Sequence, residues 1–135
     1  MRGRRLRILV YTALAFAGAA TAIAPALLDS SPARGSSTGI AYSIQLQATI
    51  DPATQKWMSS ALDDAKSEGA KIVIIRLDTP GGLDDSMRKI VKDIIAAPMP
   101  VVVYVAPNGA RAASAGMYIT EAADVAAMAP STALW

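Results

Sequence analysis

Two short apolar runs, residues 72–77 and 101–105, constrain the fold of this chain more than any other feature. Both are rich in β-branched side chains and flanked by Pro or Gly, which is typical of strands buried on both faces of a sheet. Residues 84–97 lie between them and place apolar side chains at helical spacing. These apolar residues are Met87, Ile90, Val91, Ile94 and Ile95. The pattern predicts one βαβ unit with a parallel pair of strands.

Each of the two predicted strands leads into a loop of small residues. Residues 78–82 read Asp-Thr-Pro-Gly-Gly, and residues 110–116 read Ala-Arg-Ala-Ala-Ser-Ala-Gly. Parallel strands end on the same edge of a sheet, and open α/β folds usually hold their ligands at that edge. We therefore expect the turn of Gly81 and Gly82 to face Ser114.

The flanking segments predict further elements of the same domain. Partial alternation of apolar and polar residues predicts a strand with one solvated face at residues 41–50. Asp51 and Pro52 supply the N-cap and first position of a helix that is predicted to end at Gly69, with Trp57 in the core. After the second loop we predict a helix over residues 113–122, with Ser114 in its first turn, and a short buried strand over residues 125–128.

The first 39 residues differ in composition from the rest of the chain. Residues 1–7 hold four arginines and residues 8–28 hold no charge, a stretch of about 31 Å if helical. A buried amphipathic helix is disfavoured because the stretch has no polar face. Residues 1–28 are therefore predicted to be a signal peptide or membrane anchor that exports the rest of the chain. Residues 29–39 are a Ser-, Pro- and Gly-rich linker, and residues 40–135 form the folded domain.

Absent residue types exclude several kinds of chemistry. The chain has no Cys and no His, so it contains no cysteine nucleophile, no thiolate metal site and no Ser-His-Asp triad. We predict no metal and no cofactor. Residues 40–135 hold eight basic and ten acidic side chains, so the basic pI comes from the N-terminal arginines and gives no reason to expect nucleic acid as a partner.

The two loops contain residue types that could support acyl transfer at a serine. A serine hydroxyl is a weak nucleophile, so it needs a neighbouring base and hydrogen-bond donors for the oxyanion. Ser114 at a helix start would place the unpaired N–H of Ala115 beside the reacting carbonyl. Gly81 and Gly82 can adopt the positive φ angles that turn a second N–H toward a ligand. The residues alone leave open an alternative in which the serine only caps a helix and Pro-Gly-Gly only forms a turn.

The motifs resemble the protease domain of NfeD-type membrane-bound serine proteases, which belong to the Clp-protease/crotonase fold class and are also called stomatin-operon partners. The resemblance covers residues 40–132. It rests on residues 78–82, 100–104, Ala-Ser-Ala-Gly-Met-Tyr-Ile at 113–119 and Met-Ala-Pro at 128–130. It implies an α/β fold of the Clp-protease/crotonase-like class, built from repeated β-β-α units and incomplete in this chain.

The resemblance also implies roles for the loop residues. It makes Ser114 the nucleophile, and it assigns the oxyanion hole to Ala115 together with Gly81 or Gly82. Arg111 either lines the substrate groove or is solvated. The implied activity is a membrane-associated serine endopeptidase that cleaves hydrophobic segments of membrane partners. A stomatin-like protein would be its substrate or partner, and the full-length form would be a homo-oligomer.

The chain departs from the family pattern in the second half of the site. In the family the serine works with a lysine several tens of residues later, whereas the last lysine here is Lys92. Asp124 stands where many relatives have His, and residues 131–135 do not continue the family's Gly-rich stretch. We therefore expect a truncated domain with little or no activity on its own.

Two other functions stay open on the sequence alone. The chain could be an inactive fragment that binds a stomatin-like or full-length NfeD-like partner. It could also be an acyl-thioester enzyme of the crotonase class, although the export signal and the Ser-Ala-Gly motif disfavour this function.

Overall fold

A computed structural model describes residues 39–135 as a parallel α/β domain. Its elements in chain order are β1 Ala41–Gln47, α1 Pro52–Ser67, β2 Ile72–Asp78, α2 Asp84–Ala96, β3 Val101–Val105, β4 Arg111–Ala112, α3 Ala115–Glu121, β5 Val125–Met128 and β6 Ala133–Leu134. The main sheet has the order β1-β2-β3-β5, and each neighbouring pair is parallel. Strands β4 and β6 form a second, two-stranded parallel sheet. The predicted βαβ unit is confirmed.

Helix α1 begins and ends where the sequence predicts. The Asp51 side chain accepts a hydrogen bond from the backbone N–H of Thr54 at 2.8 Å, Pro52 opens the helix, and Gly69 follows its end with a φ of +71°. The buried face consists of Met58, Ala61, Leu62 and Ala65. The prediction that Trp57 is a core residue is wrong, because its side chain is 47% exposed. Residue 57 is about 100° around the helix from Met58, which puts it at the margin of the buried face.

Helix α2 buries a narrower stripe than its sequence suggests. Met87, Ile90 and Ile94 are buried and Val91 is partly buried, whereas Ile95 is 71% exposed. The helical spacing is therefore confirmed, but the assignment of Ile95 to the packed face is wrong. Ile95 lies about 100° around the helix from Ile94, so its side chain falls outside the surface that packs against the sheet and α1.

The core lies on one face of the central strands. Val73, Ile75 and Leu77 of β2 and the corresponding residues of β3 are fully buried, whereas the alternate residues are partly or fully exposed. The prediction that these strands are buried on both faces is therefore wrong. Strand β5 is present where we predicted it, but all four of its residues are exposed, so the prediction that it is buried is wrong. Among the described strands β5 pairs only with β3, and the described helices pack over the other strands.

The prediction for residues 1–28 lies outside the described part of the chain, as does nearly all of the linker at 29–39. Within residues 39–135, no helix combines the length and the apolar character needed to cross a bilayer.

Candidate active site

The two loops meet at the carboxyl edge of the sheet, as predicted. Gly81 has a φ of +103°, and a Cβ added to it would lie 2.9 Å from the Cβ of Ser114 and 2.9 Å from the carbonyl oxygen of Ala113. Atoms this close would clash, so the two loops can approach in this way only with glycine at residue 81. Gly81 and Ser114 are therefore direct neighbours in space although 33 residues separate them in the chain.

Backbone hydrogen bonds hold the two loops together. The N–H of Thr79 donates to the carbonyl of Arg111 at 2.7 Å, and the N–H of Ala113 donates to the carbonyl of Thr79 at 3.1 Å. This ladder aligns the end of β2 with β4. The position of Ser114 relative to the glycines is therefore set by paired backbone and not by side-chain contacts alone.

The second glycine is fixed against the segment that comes after β1. A Cβ on Gly82 would lie 2.0 Å from the carbonyl oxygen of Ile50, a distance that no side chain could occupy. The N–H of Ile50 donates to Gly81 O at 2.9 Å, and the N–H of Leu83 donates to Ile50 O at 2.8 Å. The glycine turn is consequently held on both sides, by β4 and by Ile50.

Ser114 occupies the N-cap position of α3 in a strained conformation. Its φ of +50° and ψ of −111° are unusual for a residue with a side chain and cost about 1–3 kcal/mol. Its side chain makes no capping hydrogen bond, and the residue is exposed. The Ser114 side chain therefore does not cap the helix, and its catalytic role stays a prediction. The backbone N–H of Ser114 donates to the carbonyl of Trp135 at 2.6 Å, next to β6.

The structure distinguishes between the two glycines as hydrogen-bond donors. The N–H of Gly81 donates to Thr79 Oγ1 at 3.1 Å. Within residues 39–135, the N–H groups of Gly82 and Ala115 have no acceptor. Each of the two loops, which meet at Gly81 and Ser114, thus carries one N–H without an acceptor among the described residues.

Arg111 is exposed and lines a groove of about 460 Å³ beside the loops. Its backbone N–H donates to Asp78 Oδ1 at 3.1 Å, which ties β4 to the end of β2. The other lining residues are Gln47, Ala48, Thr49, Asp78, Pro80 and Gly109. The groove lies at the carboxyl edge of the sheet, but Ser114 is not among its lining residues. Arg111 is therefore solvated, and its place in a substrate groove beside the serine stays a prediction.

The charged residues around the site offer no desolvated amine. Lys89 and Lys92 lie on the exposed side of α2, as predicted, and the other three lysines of the chain, Lys56, Lys66 and Lys71, are also exposed. Asp124, the residue that departs from the family pattern, has a structural role, since its carboxylate accepts a hydrogen bond from the N–H of Val101 at 2.8 Å.

Sequence reasoning missed two contributors to the site. Thr79 is fully buried and hydrogen-bonds the glycine turn, and Asp78 connects β1, β2 and β4 by accepting from Gln47 Nε2 at 3.3 Å and from the Arg111 N–H. The only sequence signal for either residue is its place between a strand and Pro-Gly-Gly.

The parallel α/β domain that carries this serine and glycine turn has a Clp-protease-like fold. ClpP1 from Listeria monocytogenes shares this fold, with a TM-score of 0.56 at 22% identity over 60% of this chain and 46% of that one. Residues 40–134 match the N-terminal domain of NfeD1b. The chain belongs to this family, as the resemblance implied.

Relatives with higher identity come from an archaeon and a bacterium. The membrane-bound protease PH1510 of Pyrococcus horikoshii is 41% identical over 95 residues, which are 70% of this chain and 22% of that protein. The membrane protein NfeD1b of Bacillus subtilis is 36% identical over 89 residues, 66% of this chain and 20% of that one. The chain therefore spans about a fifth of the length of these relatives.

Solved structures of the archaeal protease match the same region. A mutant of the 1510-N membrane-bound stomatin-specific protease has a TM-score of 0.68 at 40% identity, covering 70% of this chain and 45% of that one. Another mutant, in complex with a substrate peptide, has a TM-score of 0.69 at 41% identity, covering 71% and 44%.

Proposed function

We propose that this chain carries the nucleophile half of a serine endopeptidase site, with Ser114 as the nucleophile. The observation that carries the proposal is the pairing of an exposed, strained serine with two N–H groups, one on each loop, that have no acceptor within residues 39–135. A strained residue whose side chain makes no capping hydrogen bond is most readily explained by a role in binding or chemistry.

In the proposed reaction, Ser114 Oγ attacks the carbonyl carbon of a peptide bond while its proton passes to a base. The carbonyl oxygen becomes an oxyanion, which accepts hydrogen bonds from the N–H groups of Ala115 and Gly82. We favour Gly82 over Gly81 because the Gly81 N–H already donates to Thr79. The same base returns a proton to the leaving amine, and the acyl-enzyme ester is then hydrolysed by water.

The base is proposed to be a lysine that lies outside these 135 residues. A lysine accepts a proton near neutral pH only where burial favours its neutral form, and every lysine of this chain is exposed. A longer form of the protein or a partner subunit would have to supply it. We therefore expect the 135 residues alone to hydrolyse peptides little or not at all.

The proposed substrate is a hydrophobic segment of a stomatin-like membrane protein. Support comes from the 1510-N protease, which is named as stomatin-specific and has been solved with a substrate peptide. The proposed site of action is the non-cytoplasmic side of a membrane, with the folded domain exported by residues 1–28, and the arginines that precede the apolar stretch support this orientation.

Labelling with a fluorophosphonate probe, in membranes of the producing cell, tests the proposal. We expect mass spectrometry to locate the adduct on Ser114 and the adduct to disappear in Ser114→Ala. Ser131→Ala is the matched control, because Ser131 is also exposed and has a positive φ of 60°. The intact mass is measured in parallel. An unlabelled Ser114 in a product well above 14.0 kDa that contains a later lysine would refute the proposal.

A second candidate function, a catalytically inactive binding fragment, is favoured by the exposed strand β5. Val125 is 53% exposed and Met128 is 46% exposed, so this edge of the sheet presents both apolar side chains and unpaired backbone. A full-length NfeD-like chain or a stomatin-like protein is the proposed partner. Absence of probe labelling together with co-purification of such a partner would support this function over the first.

A further inference from the structure

Thr79 is a buried polar residue whose side chain contacts only protein. It is 0% exposed, and among the described residues the other buried polar side chains are Ser86 and Thr120. Its Oγ1 accepts a hydrogen bond from the N–H of Gly81 at 3.1 Å and lies 3.4 Å from Gly81 O. A hydroxyl that accepts from the N–H two residues later closes a small turn, which fixes the peptide planes of Pro80 and Gly81.

The other groups of Thr79 contact the serine loop. A Cβ placed on Gly116 would lie 2.6 Å from Thr79 Cγ2, so the Thr79 methyl occupies the space that a side chain at residue 116 would need. The backbone N–H and carbonyl of Thr79 pair with Arg111 and Ala113, the two neighbours of Ala112 in the chain. One residue therefore contacts the glycine turn with its hydroxyl and the start of α3 with its methyl.

We propose that Thr79 is a positioning residue that holds the Gly82 N–H at the correct distance from Ser114, an inference that rests on the proposed function of Ser114. With the Gly81 N–H turned inward onto Oγ1, the next peptide of the turn is free to present the Gly82 N–H to a ligand. Without the hydroxyl, the Gly81 N–H is buried without an acceptor, and the turn rearranges to expose it.

Three variants test this role in the protein as its cell produces it. Thr79→Val keeps the shape and removes the hydroxyl, and Thr79→Ser keeps the hydroxyl and removes the methyl. Thr120→Val is the matched control, because Thr120 is similarly buried and its hydroxyl donates to Gly116 O at 2.8 Å without touching the glycine turn.

The expected effect is on the reaction step and not on probe binding. Misplacing one oxyanion donor lowers the maximal rate of fluorophosphonate labelling by about 10-fold to 100-fold in Thr79→Val, with the half-saturating probe concentration unchanged. Thr79→Ser restores labelling to within about 3-fold, and Thr120→Val labels like the wild type. Equal labelling of Thr79→Val and wild type would overturn the inference.

Amide hydrogen exchange separates this inference from the proposed function. In the 135-residue chain, the Gly81 N–H should be protected in the wild type and in Thr79→Ser and should exchange faster in Thr79→Val. If the wild type is never labelled although its product contains a later lysine, the proposed function fails, while the exchange at Gly81 still decides whether Thr79 fixes the turn. Unchanged protection in Thr79→Val would show that it does not.

Discussion

At the scale of single residues, the geometry of the site depends on two glycines, which have no side chain, as much as on Ser114. Because Gly81 and Gly82 lack a Cβ, the glycine turn can lie in contact with the serine loop and with the backbone of Ile50. Ser114 itself has a backbone conformation that most residues avoid. Strain of this kind persists only where surrounding contacts impose it. Here the contacts are the β4 ladder and the Ile50 hydrogen bonds.

Gly81→Ala should destabilise the domain by about 2–4 kcal/mol, because the new Cβ would meet both Ser114 and Ala113 in addition to the unfavourable positive φ. Gly109→Ala is the control. Gly109 has a φ of +81° but no atom within 4 Å of an added Cβ, so it should lose only about 1 kcal/mol. Urea unfolding measures the free energy of unfolding of both variants. Equal losses of stability would mean that the close contact at Gly81 does not contribute to the effect.

At the scale of elements, helix α1 shows how a local signal fixes one end of a helix. Asp51 accepts the backbone N–H of Thr54, and this hydrogen bond lowers the pKa of the Asp51 carboxyl below its usual value. The folded state therefore favours the ionised carboxylate. The stability that it contributes is present above the unfolded pKa, near 3.8, and is lost as the pH falls through the lower folded value.

Asp51→Ala should accordingly lower the urea midpoint at pH 7, and the difference from the wild type should shrink below about pH 4. Asp63→Ala removes an exposed carboxylate from the same helix without removing a cap, and it should leave the midpoint nearly unchanged. A difference for Asp51→Ala that stays constant down to about pH 2 would contradict the role of the ionised cap.

At the scale of the whole molecule, the described sheet has two edges of different character. Strand β1 presents Ser43, Gln45 and Gln47 to solvent, whereas β5 presents Val125 and Met128. Apolar edge strands with unpaired backbone favour pairing with another chain, and a lysine on the edge opposes it.

We therefore expect the protein to associate through β5 in a concentration-dependent manner. Val125→Lys should reduce this association, while Ser43→Lys on the opposite edge should not. Sedimentation velocity over a range of concentrations measures both variants. Equal association of Val125→Lys and wild type would place the contact elsewhere.

Much of the architecture could be predicted because it is encoded locally. The β-branched runs, the helical spacing in α2, the Asp51–Pro52 start and the Gly69 end of α1 each act over a few residues. The rule that parallel strands end together then placed Gly81 and Gly82 opposite Ser114. Four short motifs within residues 78–130 were sufficient to indicate the family.

The sequence by itself thus determined the order of the three helices and of the four strands of the main sheet, the meeting of the two loops and the absence of any histidine or cysteine chemistry within this chain. It did not predict β4 and β6. Only the tertiary structure decided which side chains are covered: Trp57, Ile95 and β5 are exposed because neighbouring elements do not reach them. It also decided that the Gly81 N–H donates to Thr79 while the Gly82 N–H has no acceptor in the described part of the chain. Burial and hydrogen-bond partners depend on contacts between distant segments, and periodicity does not encode those contacts.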